Sequence, residues 1–141
     1  MKKMENRNEI IKGCGLHHIS IRVADYETSV RFYAEGLGFK KFIEWRAKDK
    51  VSMCALLDAG DGTHIELLGG AAPGSRIEEK IHIAFKTDDC DGAFKRALAY
   101  GAVPDREPTD TTLGDFGTQA SSRYAKVKGP DGEILEFCHY K

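Results

Sequence analysis

The chain consists of two similar halves, and this internal repeat restricts its fold more than any other feature. Residues 17–23, HHISIRV, recur as residues 81–87, IHIAFKT. In the same way, the triplet IEL at residues 65–67 recurs as LEF at residues 135–137. A helix-like stretch and further strand-like stretches lie between the two motifs of each half, so each half has the pattern of a β-α-β-β-β module. The sequence therefore predicts an α+β chain built from two such modules.

The first strand indicates which side of the sheet carries the chemistry. Residues 16–23 alternate, with Ile19 on one face and His18 on the other. This pattern is typical of a strand with one packed face and one face turned to a cleft. The same alternation places His17 on the face opposite His18.

Candidate helix caps and a long polar segment mark the other elements of the modules. Asp25 is a candidate N-cap for the first helix, and Asp89 or Asp91 is the candidate for the second. In the second module, a strand near residues 103–107 is followed by a polar segment, residues 108–122, that is rich in Gly, Thr and Ser. We expect that segment to be a long loop, which in a compact domain is usually a functional lid or disordered.

The length and composition fit one compact domain. With 141 residues, 41% of them hydrophobic and 30% charged, the chain can form a real core but not two large domains. We expect a polar N-terminal tail at residues 1–13 and a single domain at residues 14–141. Within that domain, module one takes residues 14–70 and module two takes residues 78–141.

Charge and cysteine content argue against several classes of function. The formal net charge of -1 and the lack of a long Lys/Arg block argue against a nucleic-acid or anionic-membrane partner. The partner is therefore expected to be a small-molecule substrate. No stretch approaches membrane-spanning length. The four cysteines form no C-x-x-C pair and no apolar signal segment begins the chain, which predicts reduced thiols in a cytoplasmic protein.

Four side chains occupy matching places in the two halves: His18, Glu66, His82 and Glu136. Taken singly, each has a structural interpretation, because a lone strand His is usually hydrogen-bonded and a lone strand Glu usually faces water. Both Glu residues have apolar neighbours, however, and burying a carboxylate there is costly unless a cation or a proton neutralises it. Two imidazoles and two carboxylates suit Zn²⁺, Ni²⁺, Co²⁺, Mn²⁺ or Fe²⁺. The repeat therefore predicts one divalent metal ion, and an octahedral ion would keep two positions for water or substrate oxygens.

Five short sequence motifs, by their order and spacing, make this chain similar to a known family. They are H-x-x-x-R-V (His18 to Val23), S-V-R-F-Y-x-x-x-L-G-F (Ser29 to Phe39), I-E-L (Ile65 to Leu67), H-I-A-F (His82 to Phe85) and P-D-G-x-x-x-E (Pro130 to Glu136). Together they resemble the vicinal oxygen chelate superfamily, and bacterial glyoxalase I most of all, over residues 15–139. The resemblance implies two paired βαβββ modules whose strands curl around a metal-binding cleft, with one His and one Glu from each module.

The resemblance also implies a ligand set and a reaction. The ligands would be His18, Glu66, His82 and Glu136 around one divalent ion per site, with nickel or zinc expected before cobalt, manganese or iron. Glyoxalase I converts the hemithioacetal of methylglyoxal and glutathione to S-lactoylglutathione by moving a proton between adjacent carbons, which detoxifies methylglyoxal. Glu136, with Glu66 as its symmetric counterpart, is the expected proton-transfer carboxylate. Arg22 corresponds to an arginine that contacts the glutathione carboxylate.

Other members of the superfamily leave alternatives open. Enzymes similar to methylmalonyl-CoA epimerase have a similar size but typically a Gln at the position of Glu66, so Glu66 favours glyoxalase I. Drug-binding proteins of the same fold act without turnover and do not keep four such ligands. Short relatives commonly form homodimers that pair the first module of one chain with the second of its partner. We therefore expect a homodimeric lyase acting on a glutathione or other thiol adduct, with an epimerase or a non-catalytic binding protein as the alternative.

Overall fold

Two βαβββ modules form the structure, in the chain order that the repeat predicts. The computed structural model describes residues 7–75, 81–130 and 132–141. Module one contains β1 (Gly15–Arg22), α1 (Tyr26–Arg31, continued by a π-helical turn, Phe32–Gly36), β2 (Lys40–Arg46), β3 (Met53–Asp58) and β4 (His64–Leu68). Module two contains β5 (Ile81–Lys86), α2 (Cys90–Ala99), β6 (Val103–Leu113), β7 (Ala120–Lys128) and β8 (Ile134–Tyr140). The beginning of the expected tail, residues 1–6, and the expected start of module two at residue 78 lie outside the described residues.

The eight strands of these described segments form one sheet, in the order β2-β3-β4-β1-β5-β8-β7-β6. The first strands of the modules, β1 and β5, pair antiparallel at its centre, with Ser20 opposite His82. Each first strand also pairs in parallel with the last strand of its own module, so Ser20 is opposite Glu66 and Ala84 is opposite Glu136. Since Ser20 and Ala84 each lie two residues after a histidine, both modules present their His and Glu with the same offset. The predicted α+β class and the pairing of two modules are confirmed.

The sheet curls so far that its two edge strands are bridged. The edges are β2 and β6, yet the turn after β6 reaches β2. There, the N–H of Asp115 donates to the carbonyl oxygen of Glu44 at 3.1 Å, and the Asp115 carboxylate accepts from the N–H of Arg46 at 2.8 Å. Gly114 permits this turn because its φ is +116°, and an added Cβ would lie 2.2 Å from the Thr118 carbonyl oxygen. The result is a half-barrel with a concave interior.

Each helix covers the convex side of its own module. In module two, Phe94 of α2 packs in one cluster with Val127 of β7. In module one, Val30 of α1 packs against a smaller cluster that includes Leu57 of β3. A third cluster lies on the concave side of the sheet and consists of Ile43, Trp45, Cys54, Leu56 and Ala120.

Aspartates begin both helices, as the sequence indicates. The side chains of Asp25 and Asp89 each accept a hydrogen bond from the backbone N–H three residues later, at 3.1 Å and 2.9 Å. Of the two candidates for the second helix, Asp89 is therefore the cap. Asp91 lies in the first turn instead, where its carboxylate binds Arg123 of β7.

The long loop predicted at residues 108–122 is wrong. Strand β6 continues to Leu113 and β7 begins at Ala120, so only residues 114–119 connect them. The polar composition misled the prediction because β6 is an edge strand, which needs little apolar surface, and because Thr is a good strand former. The two prolines of β6 are accommodated by register shifts between Pro104 and Arg106 and between Arg106 and Thr109.

Two further expectations concern membranes and thiols. In the described segments, no helix is long and apolar enough to cross a membrane. All four cysteines carry free thiols, and Cys54, Cys90 and Cys138 are buried. The prediction of unpaired cysteines is therefore confirmed.

Candidate metal centre

The four side chains matched by the repeat meet on the concave side of β1, β4, β5 and β8. His18 Nε2 lies 3.2 Å from Oε2 of Glu136 and 3.7 Å from Oε1 of Glu66. His82 Nε2 lies 3.8 Å from the same Glu66 oxygen. A nitrogen of each histidine and a Glu136 oxygen all lie within 4.8 Å of one another. One chain brings the four groups together, so no residue from a partner chain is needed to assemble them.

Burial leaves these groups few other partners. His18 is 0% exposed, and Glu66 and Glu136 are each 8% exposed. The Nε2 atoms of His18 and His82 are buried and make no hydrogen bond of normal geometry to any residue that the structure describes. A cation would complete this arrangement, because it would neutralise two buried carboxylates and accept both imidazole lone pairs. The donor set fits a divalent ion.

The pKa values of the four groups differ because their neighbours differ. Burial raises the pKa of Glu66. Burial alone would also raise the pKa of Glu136, but the proximity of His18 and Lys126 lowers it below its ordinary value. For His18, burial opposes protonation, yet Glu136 and Glu66 together raise its pKa. Burial, helped by Lys126, lowers the pKa of His82 to about 4, so at neutral pH this imidazole is uncharged and able to bind a metal ion.

His17 departs from the alternating pattern of the strand. The prediction that it faces away from His18 is wrong, because the Nδ1 atoms of the two rings lie 2.7 Å apart. The register of β1 shifts between Leu16 and His18, and an irregularity of that kind re-aims the neighbouring side chains. The His17 ring stacks on Tyr140 and on His64, with ring centroids 4.4 Å and 4.9 Å apart.

The Nδ1 atoms of His17 and His18 share one hydrogen bond, in which one ring donates and the other accepts. Burial and the neighbouring His18 lower the pKa of His17 to about 3, so His17 is neutral at pH 7 and its Nδ1 can accept a hydrogen bond. With a metal ion bound, a hydrogen on Nδ1 of His18, donated to His17, would leave the Nε2 lone pair of His18 for the ion. The second ring nitrogen of a metal-binding histidine is commonly held in this way.

A cavity of about 640 Å³ opens beside the four groups, and Glu66 and Glu136 are part of its wall. The wall from module one includes Trp45, Cys54 and Leu68, whereas the wall from module two includes Ser122, Tyr124, Lys126 and Tyr140. The module-two side therefore carries hydroxyl groups and an ammonium group, whereas the module-one side combines apolar side chains with the charged groups of Arg22, Arg46, Lys48, Asp49 and Lys50. A cavity of this volume admits a small molecule.

The other residues that the sequence singled out have different surroundings. Arg22 lines the same cavity, as a substrate-binding residue must. Lys86 is exposed and lies over Gly15, in keeping with an ordinary surface cation. The thiol of Cys138 has a pKa raised by burial and lies 3.7 Å from the carbonyl oxygen of Phe85, so it packs as a small buried group.

Lys126 and Tyr140 belong to the cavity but were not singled out by the sequence patterns. Lys126 Nζ lies 3.9 Å from Oε1 of Glu136. The pairing of β7 with β8 places Lys126 directly opposite Glu136. The Gly and Pro content of residues 129–132 predicts a hairpin between these strands, so the sequence carried a signal for Lys126. Tyr140 lies four residues after Glu136 and hence on the same face of β8.

Comparison with known proteins agrees with this geometry. A family model described as Glyoxalase/Bleomycin resistance protein/Dioxygenase superfamily matches residues 15–137. YwbC of Bacillus subtilis strain 168, an uncharacterized protein, is 34% identical over 125 residues, which cover 86% of this chain and 94% of YwbC. A probable lactoylglutathione lyase of Vibrio cholerae serotype O1 is 29% identical over 129 residues, covering 88% of this chain and 89% of the relative. Among solved structures, methylmalonyl-CoA epimerase from Mycobacterium tuberculosis has a TM-score of 0.71 and 25% identity, with 96% of this chain and 92% of that chain covered.

Proposed function

Because the chain belongs to the Glyoxalase/Bleomycin resistance protein/Dioxygenase superfamily, we propose that it is a metal-dependent lyase of the glyoxalase I kind. It would convert the hemithioacetal of a 2-oxoaldehyde and a thiol to a 2-hydroxyacyl thioester by moving a proton between adjacent carbons. The observation that carries the proposal is the convergence of two imidazoles and two buried carboxylates beside a cavity. The similarity to the probable lactoylglutathione lyase of Vibrio cholerae supports this choice of reaction.

In this proposal one divalent ion is held by His18, Glu66, His82 and Glu136. Nickel or zinc is expected before cobalt, manganese or iron, since all five accept mixed imidazole and carboxylate ligands. When bound, the ion supplies positive charge that stabilises negative charge developing on two vicinal substrate oxygens. The free Nε2 atoms of both histidines and the burial of both carboxylates support this ligand set.

Glu136 is proposed as the group that takes up and returns the migrating proton, with Glu66 as its counterpart in module one. Both carboxylates line the cavity in which a substrate would lie. A proton acceptor must be ionised, and the lowered pKa of Glu136 meets that requirement at neutral pH. Arg22 in the cavity wall would bind a carboxylate of the thiol, for which a planar guanidinium group is well suited.

An epimerase of the methylmalonyl-CoA type is the second candidate, favoured by the similarity to the Mycobacterium tuberculosis enzyme. It would use the same residues, because both reactions remove a proton from a carbon next to a carbonyl group. Glu66 separates the two candidates, since such epimerases typically have Gln at this position. Binding of a drug or metabolite without turnover is the third candidate function. It is disfavoured because all four potential metal-binding side chains are present.

The oligomeric state and cellular location are also part of the proposal. A cytoplasmic homodimer is expected, with a self-complementary two-fold interface. Since the four side chains come from one chain, each protomer of such a dimer would hold a complete site.

Metal analysis tests the ligand set. Protein purified without a chelator should contain about one divalent ion per chain. The variants Glu66→Ala and His82→Ala should each lose most of that ion. His139→Ala serves as the matched control and should keep it, because His139 Nδ1 lies 3.0 Å from the Thr87 carbonyl oxygen, away from the four groups. Full metal content in both ligand variants would reject the site.

A proton-exchange assay then separates the candidate reactions. The metal-loaded protein is incubated in D₂O with methylglyoxal and glutathione, with methylglyoxal and other thiols, or with methylmalonyl-CoA, and followed by NMR. Formation of a 2-hydroxyacyl thioester supports the lyase. Exchange of the α-hydrogen of the CoA ester alone supports the epimerase. Neither thioester formation nor exchange in any mixture, with a metal-loaded protein, would contradict both.

A further inference from the structure

Lys126 breaks the internal symmetry at the candidate metal centre. In module two, β7 pairs with β8 so that Lys126 is opposite Glu136. In module one, β3 pairs with β4 so that Leu56 is opposite Glu66. Lys126 therefore occupies the position that corresponds to Leu56, a residue that is 0% exposed and packs in the concave cluster. One of the two equivalent positions therefore holds a core leucine and the other a lysine.

The ammonium group of Lys126 reaches the four ligand candidates from the cavity side. Its Nζ lies 3.9 Å from Oε1 of Glu136, and its side chain is 27% exposed. In the part of the chain that the structure describes, no other Lys or Arg lies within ion-pair distance of Glu66 or Glu136. Its charge also acts on the pKa of all four groups, in each case against protonation. Lys126 is thus part of the electrostatics of the centre and not a remote surface charge.

The charge balance of the centre shows what this lysine changes. Two ionised carboxylates neutralise one divalent ion, and two neutral imidazoles add no charge. Lys126 therefore leaves the metal-loaded centre with an excess of one positive charge, in a site shielded from water on most sides. A charge of this kind favours a bound anion, because the attraction between opposite charges is stronger where the local dielectric is low.

From this arrangement we propose that Lys126 makes the centre selective for an oxyanion, namely a small ligand with two vicinal oxygens that carries a negative charge on the side of module two. The chemical class is an α-hydroxy or α-oxo carboxylate. The proposal rests on the proposed function, because the charge balance includes a divalent ion held by the four ligand candidates. The net charge of the rest of the cavity wall also favours an anion, because the four cations Arg22, Arg46, Lys48 and Lys50 of module one outnumber the two anions Asp49 and Asp115.

A matched pair of small ligands tests this selectivity. L-lactate and L-lactamide both carry two vicinal oxygens and nearly the same shape, but only lactate is charged at pH 7. Each is titrated at constant ionic strength into the cobalt-loaded protein, and binding is followed by the visible absorption of the Co²⁺ ion. Wild type should bind lactate at least about tenfold more tightly than lactamide. Lys126→Met should reduce that preference by about tenfold or more, while Lys126→Arg should keep most of it.

Lys128→Met is the matched control, because Lys128 lies on the same strand and is exposed. This variant removes the same charge from the protein and should keep the wild-type preference. Circular dichroism and cobalt content show that each variant is folded and loaded. If wild type and Lys126→Met prefer lactate to the same extent, the inference is wrong while the metal site stands. Failure of folded wild type to bind cobalt would overturn both the proposed function and this inference.

Discussion

Modules one and two have the same strand order and the same offset between His and Glu, but they surround the candidate centre with different chemistry. In module one, Leu56 lies opposite Glu66, whereas in module two Lys126 lies opposite Glu136. Two residues earlier on the same strands stand Cys54 and Tyr124, which both line the cavity. A symmetric set of ligands is enough to hold an ion. A reaction that moves a proton from one carbon to its neighbour also has to distinguish the two ends of the substrate, and the asymmetric walls can do so.

The helices of the two modules differ as well. Helix α2 has ten residues and buries Cys90, Ala93 and Phe94, whereas α1 has six residues and buries none. Each helix is tied to a strand through its first turn: Tyr26 donates to Glu44 of β2, and Asp91 accepts from Arg123 of β7. The helix of module two is therefore the more deeply buried of the two. The strands next to this helix also carry Glu136, Lys126 and Tyr140, so these three cavity residues lie in the module with the more deeply buried helix.

The largest expected effect comes from exchanging each glutamate for glutamine. Glu136→Gln keeps the shape and one oxygen donor but removes the basic group, so it should lower kcat by about 10²–10⁴-fold while the metal content changes little. Glu66→Gln should reduce kcat less, if the two modules have different roles. Steady-state kinetics with metal analysis of the same samples measure both effects. Equal losses in the two variants would show that the modules act alike, and a near-wild-type rate for Glu136→Gln would remove its assigned role.

The second prediction concerns stability at the position where the modules differ. Leu56→Ala removes a fully buried side chain and should lower the free energy of unfolding by about 2–5 kcal/mol. Lys126→Met should change the stability of the metal-loaded protein by less than about 1 kcal/mol, because the attraction of this ammonium to Glu136 is offset by its repulsion from the bound cation. Urea denaturation of both variants measures the difference. A large loss for Lys126→Met would mean that this lysine holds the fold together and does not mainly tune the site.

The repeat explains how much could be predicted from the sequence. The two modules, the strand that carries His18 and the convergence of four equivalent side chains all follow from matched positions, because equivalent residues in paired modules approach one another. The local departures did not follow from the pattern. His17 was misplaced because a register shift in β1 overrides alternation, and residues 108–122 were assigned to a loop because an edge strand has a polar composition. Lys126 was missed because its role depends on its partner across the hairpin, which composition does not show.

The third prediction tests the closure of the sheet between the modules. The Asp115 carboxylate accepts the Arg46 backbone N–H at 2.8 Å and so links module two to the edge strand of module one. Asp115→Ala should lower stability by about 0.5–1.5 kcal/mol, as for a typical hydrogen bond. Hydrogen exchange should become faster at the Arg46 amide, which would lose its acceptor. Asp105→Ala, a change at an exposed residue of β6, is the control. Unchanged exchange at Arg46 would show that the two edges are held together by other contacts.

The smallest effect on stability is expected at the ion pair between Asp91 of α2 and Arg123 of β7, and it should depend on pH. Arg123 donates to Asp91 at 2.6 Å and 3.0 Å and lowers the pKa of that carboxyl below its ordinary value of 3.8. A carboxyl with a lowered pKa in the folded state stabilises the fold fully above the unfolded pKa, and this contribution is lost as the pH falls through the folded pKa. Asp91→Asn should therefore unfold at slightly lower urea concentration than wild type at pH 7, and the difference should shrink as the pH falls below about 3.8. Since both side chains are partly exposed, added salt should also reduce the difference. A difference between the two proteins that stays constant from pH 7 to pH 3 would show that Asp91 acts through the shape of the helix turn and not through its charge.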